Sequence, residues 1–302
     1  MKIVFVGNFD VNFTTESHHA WTWEHMGHQV VRLQQNRTSE ADVLSACNGA
    51  QVFQFTHTHG WPCPVTMDTV AKIRGMGLKS FSYHLDRYFG IGARQASYLE
   101  HPSFHLDYFF STDGGNEEGW RVAGINHVYL EPGVVEYGAY FGTAREPNID
   151  VLFTGSVGYH AEYPFRPAMA AGLAANYGSR FQVRTGVREA ALNDLYAAST
   201  VCVGDHIFAG SPLYVSDRLF ESVGRGAFII YPDTPGVTDQ IPGLVTYKPQ
   251  DINDLISKID YFLDKKYDAE RLERRNLSFE WVKKHGTYTQ RLQKVLDILF
   301  KV

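Results

Sequence analysis

Arg218 and Glu221 stand three residues apart inside LYVSDRLFESVGRGAFIIYPDTPG, residues 213–236, a stretch that reads as a helix start, a glycine exit and a buried strand. On a helix, residues at i and i+3 project from one face, so a guanidinium and a carboxylate would stand side by side. That pair suits an anionic diphosphate next to a ribose. The cation and the helix N-terminus take the phosphates, and the carboxylate accepts the ribose hydroxyls. The same spacing also suits an ordinary surface ion pair. Ser216 is the expected N-cap, with Asp217 in the first turn, and Leu219, Phe220 and Val223 form the apolar stripe. Gly224 and Gly226 end the helix. The strand expected at 227–231 is apolar throughout, and Pro232 to Gly236 make a loop at its carboxyl end, the edge of an open α/β sheet where ligands bind.

Other residues suit related chemistry. FTGSVG at 153–158 follows an expected strand, so Gly155 and Ser156 bring backbone amides toward a phosphate, with Arg166 just beyond as a second cation. His84 and Asp86 follow the fourth expected strand directly, which places a hydrogen-bonding ring and a proton acceptor at its carboxyl end. Pairing of Asp86 with Arg87, or a turn cap, is the competing reading. His57 and His59 lie two apart on an extended segment and point to opposite sides, which argues against a shared metal. His18 and His19 follow Glu16 at the start of the first helix, and each reads singly as solvent-exposed. No nucleophile elbow, Walker loop or paired-carboxylate motif is present.

These residues need positioning elements, and the chain supplies them in alternation. Strands are expected at 2–6, 29–33, 52–55, 79–83, 108–111 and 127–130, with helices at 17–26, 41–47 and 67–75 between them. A break at 141–148, FGTAREPN, reads as a linker. Strands at 151–154, 181–184, 200–203 and 244–247 follow, with helices at 167–175, 189–197, 252–263 and 289–300. Alternation of this kind implies parallel, doubly wound sheets, and 302 residues suffice for two domains. An apolar fraction of 44% and a charged fraction of 20% exclude disordered and fibrous classes. The net charge of −5 gives no general attraction for polyanions. The opening MKIVFVGNFD reads as a strand and not a signal peptide, and the three scattered cysteines fit a reducing cytoplasm. From Asp264 onward, ten Lys/Arg face six Asp/Glu, a solvated helix face or a weak attraction to membrane or DNA.

Arg218, Glu221, Ser222, Gly224, Gly226, the strand at 228–231 and Pro235-Gly236 together resemble the nucleotide-sugar signature of group 1, family 4-type glycosyltransferases of the GT-B fold, especially their short spore-maturation-like branch. The resemblance implies two Rossmann-like domains facing across a cleft: an acceptor-side domain at 1–145, a nucleotide-sugar domain at 146–285, and a helix at 286–302 crossing back to the first. It implies donor contacts from Gly155, Ser156, Arg166, Arg218 and Glu221. Where the larger family has a second glutamate this chain has Leu213, so backbone amides around Ser211, Leu213 and Tyr214 are expected to hold the sugar or phosphate instead. His84 would hydrogen-bond the sugar and Asp86 would take or orient the acceptor proton, with Asn8, Glu16, His18 and His57 on the acceptor side. The implied activity is transfer from a nucleotide sugar, UDP-linked by expectation, without metal or resident cofactor, with retention favoured and inversion open. The acceptor is expected to be a saccharide, a lipid-linked sugar, a protein, a small metabolite or a modified base in phage DNA. A nucleotide-sugar epimerase and a non-catalytic binding protein are the rival classes.

Overall fold

The computed structural model describes residues 1–89, 100–143, 147–158, 163, 165–208 and 211–301. Contacts divide the chain into two compact units, Met1–Glu131 with Tyr288–Val302, and Pro132–Thr287.

The first unit is built on a six-stranded sheet of β1 (Lys2–Gly7), β2 (Gln29–Gln34), β3 (Val52–Phe55), β4 (Lys79–His84), β5 (Tyr108–Ser111) and β6 (His127–Tyr129). Its order is β2-β1-β3-β4-β5-β6 and every pairing is parallel. Between strands run α1 (Thr15–His25), α2 (Glu40–Cys47), α3 (Met67–Gly75) and α4 (Glu117–Val122). Two of these starts follow directly from side-chain chemistry. Ser39 with Asp42 and Thr66 with Thr69 form reciprocal capping boxes that satisfy the first amides of α2 and α3. The run IVFV in β1 is buried completely because helices cover both faces of a parallel sheet.

The second unit carries β7 (Ile149–Thr154), β8 (Phe181–Arg184), β9 (Ser199–Val203), β10 (Ile229–Pro232) and β11 (Val245–Tyr247), all parallel, in the order β11-β10-β9-β7-β8. Its helices are α5 (Phe165–Tyr177), α6 (Glu189–Ala197), α7 (Arg218–Gly224), α8 (Ile252–Leu263) and α9 (Asp268–His285). Val151, Phe153, Val201, Val203, Phe228 and Ile230 pack against Met169 and Leu173 of α5 and Leu255 and Ile259 of α8. At about 1.5–3 kcal/mol for each fully buried apolar side chain, this core fixes the strand ends that carry the site.

The last helix, α10 (Tyr288–Phe300), packs on α1 in the first unit. Tyr288 meets the fully buried His19 edge-on, with ring centroids 4.6 Å apart. His19 is thus a core residue, contrary to its reading as exposed: its ring also stacks on Tyr83, and Gln54 hydrogen-bonds its Nδ1 at 3.2 Å.

Elsewhere the structure differs from the sequence reading in four places. Residues 132–143, placed by sequence with the first domain and its linker, pack within the second unit. Val134 N donates to Gly286 O at 3.0 Å and Tyr140 N to Gly224 O at 2.7 Å, while Asp194 Oδ1 accepts from both the amide and the hydroxyl of Thr143. Residues 144–146 of the expected linker lie outside the described residues. Ser216 does not cap α7. Asp217 does, its carboxylate accepting from Arg218 N, while the amide and hydroxyl of Ser216 both reach the buried Tyr231 hydroxyl. Helices α4 and α9 have no counterpart in the elements expected from sequence.

Candidate active site

In both sheets the chain reverses its direction of winding between two neighbouring strands. For the second unit that switch lies between β7 and β9, where the carboxyl ends diverge and leave a crevice. Arg218 spans it. Its Nε donates to Thr154 O at the end of β7 (2.9 Å), and its Nη1 donates to Asp205 O just past β9 (3.0 Å). The guanidinium carbon lies 5.2 Å from the centre of the Phe153 ring. Gly155 adopts φ +119°, and a Cβ there would lie 2.5 Å from Arg218 Nη2, so glycine is required both for its backbone and for the approach of the cation. Gly155 and Arg218 are therefore one structural unit. Ser156, next in the turn, is exposed.

Arg166, the second candidate cation, is engaged by an acid of its own unit. It is buried, and its Nε faces Asp205 Oδ2 at 3.3 Å, while Tyr163 donates to Asp205 Oδ1 at 3.2 Å. Burial pushes the Asp205 carboxyl above its ordinary range, with Arg166 opposing that shift. Behind the loop, Leu213 sits at φ +54° with its amide on Pro235 O (3.0 Å), a conformation that disfavours a branched side chain. Gly236 admits it, since a Cβ there would meet Leu213 Cδ2 at 2.5 Å. Tyr214 is buried against His206 and Phe208, and Ser211 N closes a turn onto Phe208 O.

Glu221, one turn along α7, does not pair with Arg218. Its Oε1 meets Nη2 of Arg225 at 3.1 Å, and its side chain keeps 31% of its exposure. Beside it, the Tyr196 hydroxyl of α6 links Thr154 Oγ1 and Ser222 Oγ at 3.0 Å each, tying β7, α6 and α7 together.

In the first unit the switch lies between β1 and β3. Asn8 and Glu16 follow β1, His57 follows β3, and His84 with Asp86 closes β4, so these candidates gather at one sheet edge. Glu16 is buried: a Cβ at Gly7 would lie 2.7 Å from its Cγ. Burial raises its carboxyl to about 7, the amides of Glu16 and Asn8 resist the rise, and the charge of Asp86 adds to it. His84 is buried and accepts from His57 N at Nε2 (3.4 Å), which puts its proton on Nδ1. Burial holds it neutral, well below the ordinary histidine range. His18 is half-buried and tilts against Tyr288. Arg87 ion-pairs with the fully buried Asp113 at 3.7 Å, and Asp113 also accepts from the amides of Tyr88 and Phe89 at 2.9 Å, which fixes the loop after β4.

His57, Cys63 and His101 place potential ligand atoms within 4.8 Å of one another. Their hydrogen bonds do not suit a metal ion. Gln35 Nε2 points at His57 Nδ1 (3.0 Å) and Ser103 N donates to His101 Nδ1 (3.3 Å), so both rings carry their protons on Nε2. The Cys63 thiol donates to Val65 O. The rings stack with centroids 3.9 Å apart, whereas ligands to one ion must aim at a common point in their planes.

A family model described as glycosyl transferase-like matches residues 141–297, just over half of the chain and nearly all of the second unit. The chain belongs to that family. The glycosyltransferase also resembles solved structures over its whole length. Anabaena HepE, in complex with UDP and glucose, is 10% identical, with 100% of each chain covered and a TM-score of 0.67. A trehalose-6-phosphate protein from E. coli bound with UDP-2-fluoro glucose is 9% identical, covering 100% of this chain and 99% of that one at a TM-score of 0.66. The DNA modifying enzyme β-glucosyltransferase is 10% identical with full coverage of both chains and a TM-score of 0.60. No curated protein matches in sequence. At these identities the likeness is one of fold, and it identifies the two parallel-sheet units of the glycosyltransferase as the Rossmann-like pair of a GT-B enzyme.

Sequence reasoning missed three residues of the glycosyltransferase that organise its sheet edges: Asp205, Asp113 and Arg225. Asp205 stands two residues beyond β9, as Asp86 stands two beyond β4, and that placement was the available signal. Arg225 follows Glu221 by four positions, a spacing that marks a same-face pair as clearly as the three between Arg218 and Glu221.

Proposed function

We propose that the enzyme moves a sugar from a UDP-sugar to an acceptor hydroxyl, holding the uridine diphosphate at the switch point of the second unit. The observation that carries this reading is the position of Arg218, hydrogen-bonded to the ends of both β7 and β9 with Gly155 pressed against it and Glu221 one helical turn away. A guanidinium fixed at a crevice of strand ends is a preorganised partner for a diphosphate. The structurally similar proteins described with UDP or a UDP-sugar support the choice of nucleotide.

In this reading Glu221 accepts the ribose hydroxyls, and the amides of Gly155 and Ser156 and those around Leu213 and Tyr214 approach the phosphates or the sugar. The first unit receives the acceptor along Asn8, Glu16, His18 and His57. The bond between the anomeric carbon and the β-phosphate oxygen breaks, its electron pair leaves with UDP, and Arg218 offsets the growing charge. The acceptor oxygen bonds to the anomeric carbon while its proton passes to Asp86, and neutral His84 hydrogen-bonds the sugar. Positive charge from Arg218 takes the part that a metal plays in other transferases, and retention of configuration follows the group 1 resemblance.

The test is UDP release from a panel of UDP-sugars offered with saccharide, lipid-linked, protein and DNA acceptors. UDP formed only with an acceptor, at a rate unchanged by EDTA and with the donor's anomeric coupling kept in the product's proton NMR spectrum, is the expected result. An isomerised nucleotide sugar formed without acceptor would mark an epimerase, and binding without turnover a non-catalytic protein.

A further inference from the structure

Arg225 is the most heavily engaged charged side chain near the donor site, and nothing in the transfer chemistry calls on it directly. It is 2% exposed. Its Nη1 donates to Gly138 O, to Asn193 Oδ1 at 2.7 Å and to Glu189 O at 3.2 Å, and its Nη2 donates to Glu221 Oε1 at 3.1 Å. Three segments thus converge on one guanidinium: the turn Glu136–Gly138, the first two turns of α6, and α7. Two backbone features serve this convergence. Gly138 leaves room for it, because a Cβ there would lie 3.2 Å from Nη2 and 3.4 Å from Nη1. Glu189, whose carbonyl accepts from Nη1, is held at φ +51°, a left-handed conformation that glutamate adopts only when its surroundings impose it.

We propose that Arg225 is the positioning residue of the donor site, holding Glu221 in the orientation that accepts the ribose hydroxyls. A glutamate on a short helix has three free torsions, and water would leave its carboxylate mobile. Arg225 removes that freedom from below. It takes one oxygen, Oε1, and leaves Oε2 without a hydrogen bond among the described residues. A carboxylate tied at one oxygen and open at the other is ready to receive a hydroxyl donor without first being ordered. Burial makes the tie strong, since a desolvated cation needs its acceptors and finds three neutral oxygens besides Glu221.

The inference rests on the assignment of Glu221 to the ribose, and the experiment separates the two. Affinities for UDP and for 2′-deoxy-UDP are measured by calorimetry on the full chain as wild type, Arg225→Met and Gly138→Ala. Wild type is expected to favour UDP by about tenfold, the value of one hydrogen bond to a charged group. Arg225→Met is expected to bring that ratio to about threefold or less, because a mobile Glu221 no longer distinguishes the missing hydroxyl. If circular dichroism shows that Arg225→Met fails to fold, Gly138→Ala decides: it keeps every bonding partner, displaces the guanidinium, and is expected to lower the ratio as well. A ratio that stays at the wild-type value in the folded variants overturns the positioning role alone. A wild type without preference between the two nucleotides overturns the ribose assignment of Glu221 and the inference with it.

Discussion

Gly155 and Glu16 show how single residues set the two sheet edges. At Gly155 a methyl group meets two obstacles, a φ of +119° and the guanidinium of Arg218. Gly155→Ala is therefore expected to displace Arg218 and weaken UDP binding by about tenfold or more, roughly the loss of one charge-assisted hydrogen bond. Calorimetric titration with UDP checks this. Glu16 and two half-buried histidines of the same unit make opposing contributions to stability against pH. His57 and His101 are held by burial to about 3 and about 4, against 6.5 in the unfolded chain. The unfolded state therefore binds more protons between about 4 and 6.5, and stability falls as pH drops through that window. Glu16 acts in the reverse sense, since its folded carboxyl holds a proton to about 7 against 4.5 when unfolded. Its stabilising contribution is complete below 4.5 and is lost as pH rises through 7. Glu16→Gln removes that loss, so the variant is expected to be more stable than wild type at pH 8, by up to about 3 kcal/mol, with the difference shrinking to less than about 1 kcal/mol at pH 5. Urea midpoints at the two pH values give the answer. An equal difference at both would place the effect in packing.

At the scale of elements, most of the strands and helices were legible in the sequence, for a physical reason. Parallel strands buried on both faces must be short apolar runs, and IVFV, VFQF and VLF are conspicuous between polar stretches. α9 was illegible for the opposite reason. Its sequence DAERLERRNLSFEWVKKH is dominated by charge, and only Arg271, Ser278, Phe279 and Val282 are buried, too few to show a stripe. Ser216 misled because a serine before an apolar stripe looks like a cap, and nothing local indicates that the Tyr231 hydroxyl, fifteen residues on, claims it. The signature residues Arg218, Glu221 and Gly155 could be found by type and spacing, and Arg225 was within reach of the same rule, four positions after Glu221. The partners of Arg218 were not, because the carbonyls of Thr154 and Asp205 come together only through the sheet order. The link Thr154–Tyr196–Ser222 is another product of tertiary structure. Tyr196→Phe is expected to lower stability by about 1 kcal/mol per lost hydrogen bond, read from a urea midpoint, and to weaken UDP binding modestly through the shared end of β7.

At the scale of the whole molecule, two parallel sheets with the same winding reversal each present a built edge. One is lined by a fixed arginine and a tethered glutamate, the other by carboxyl groups and neutral histidines. Among the described residues no helix is long and apolar enough to cross a membrane. The family assignment rests on the second unit, which holds the whole proposed donor site, so the central claim is that uridine diphosphate binds there through Arg218 and Glu221. Its most direct test is calorimetric titration of wild type, Arg218→Ala and Glu221→Ala with UDP, alongside GDP, ADP and CMP. The account predicts selective binding of UDP by wild type and a loss of about tenfold to a hundredfold in affinity in each folded variant. Wild-type affinity in Glu221→Ala and Arg218→Ala would contradict it.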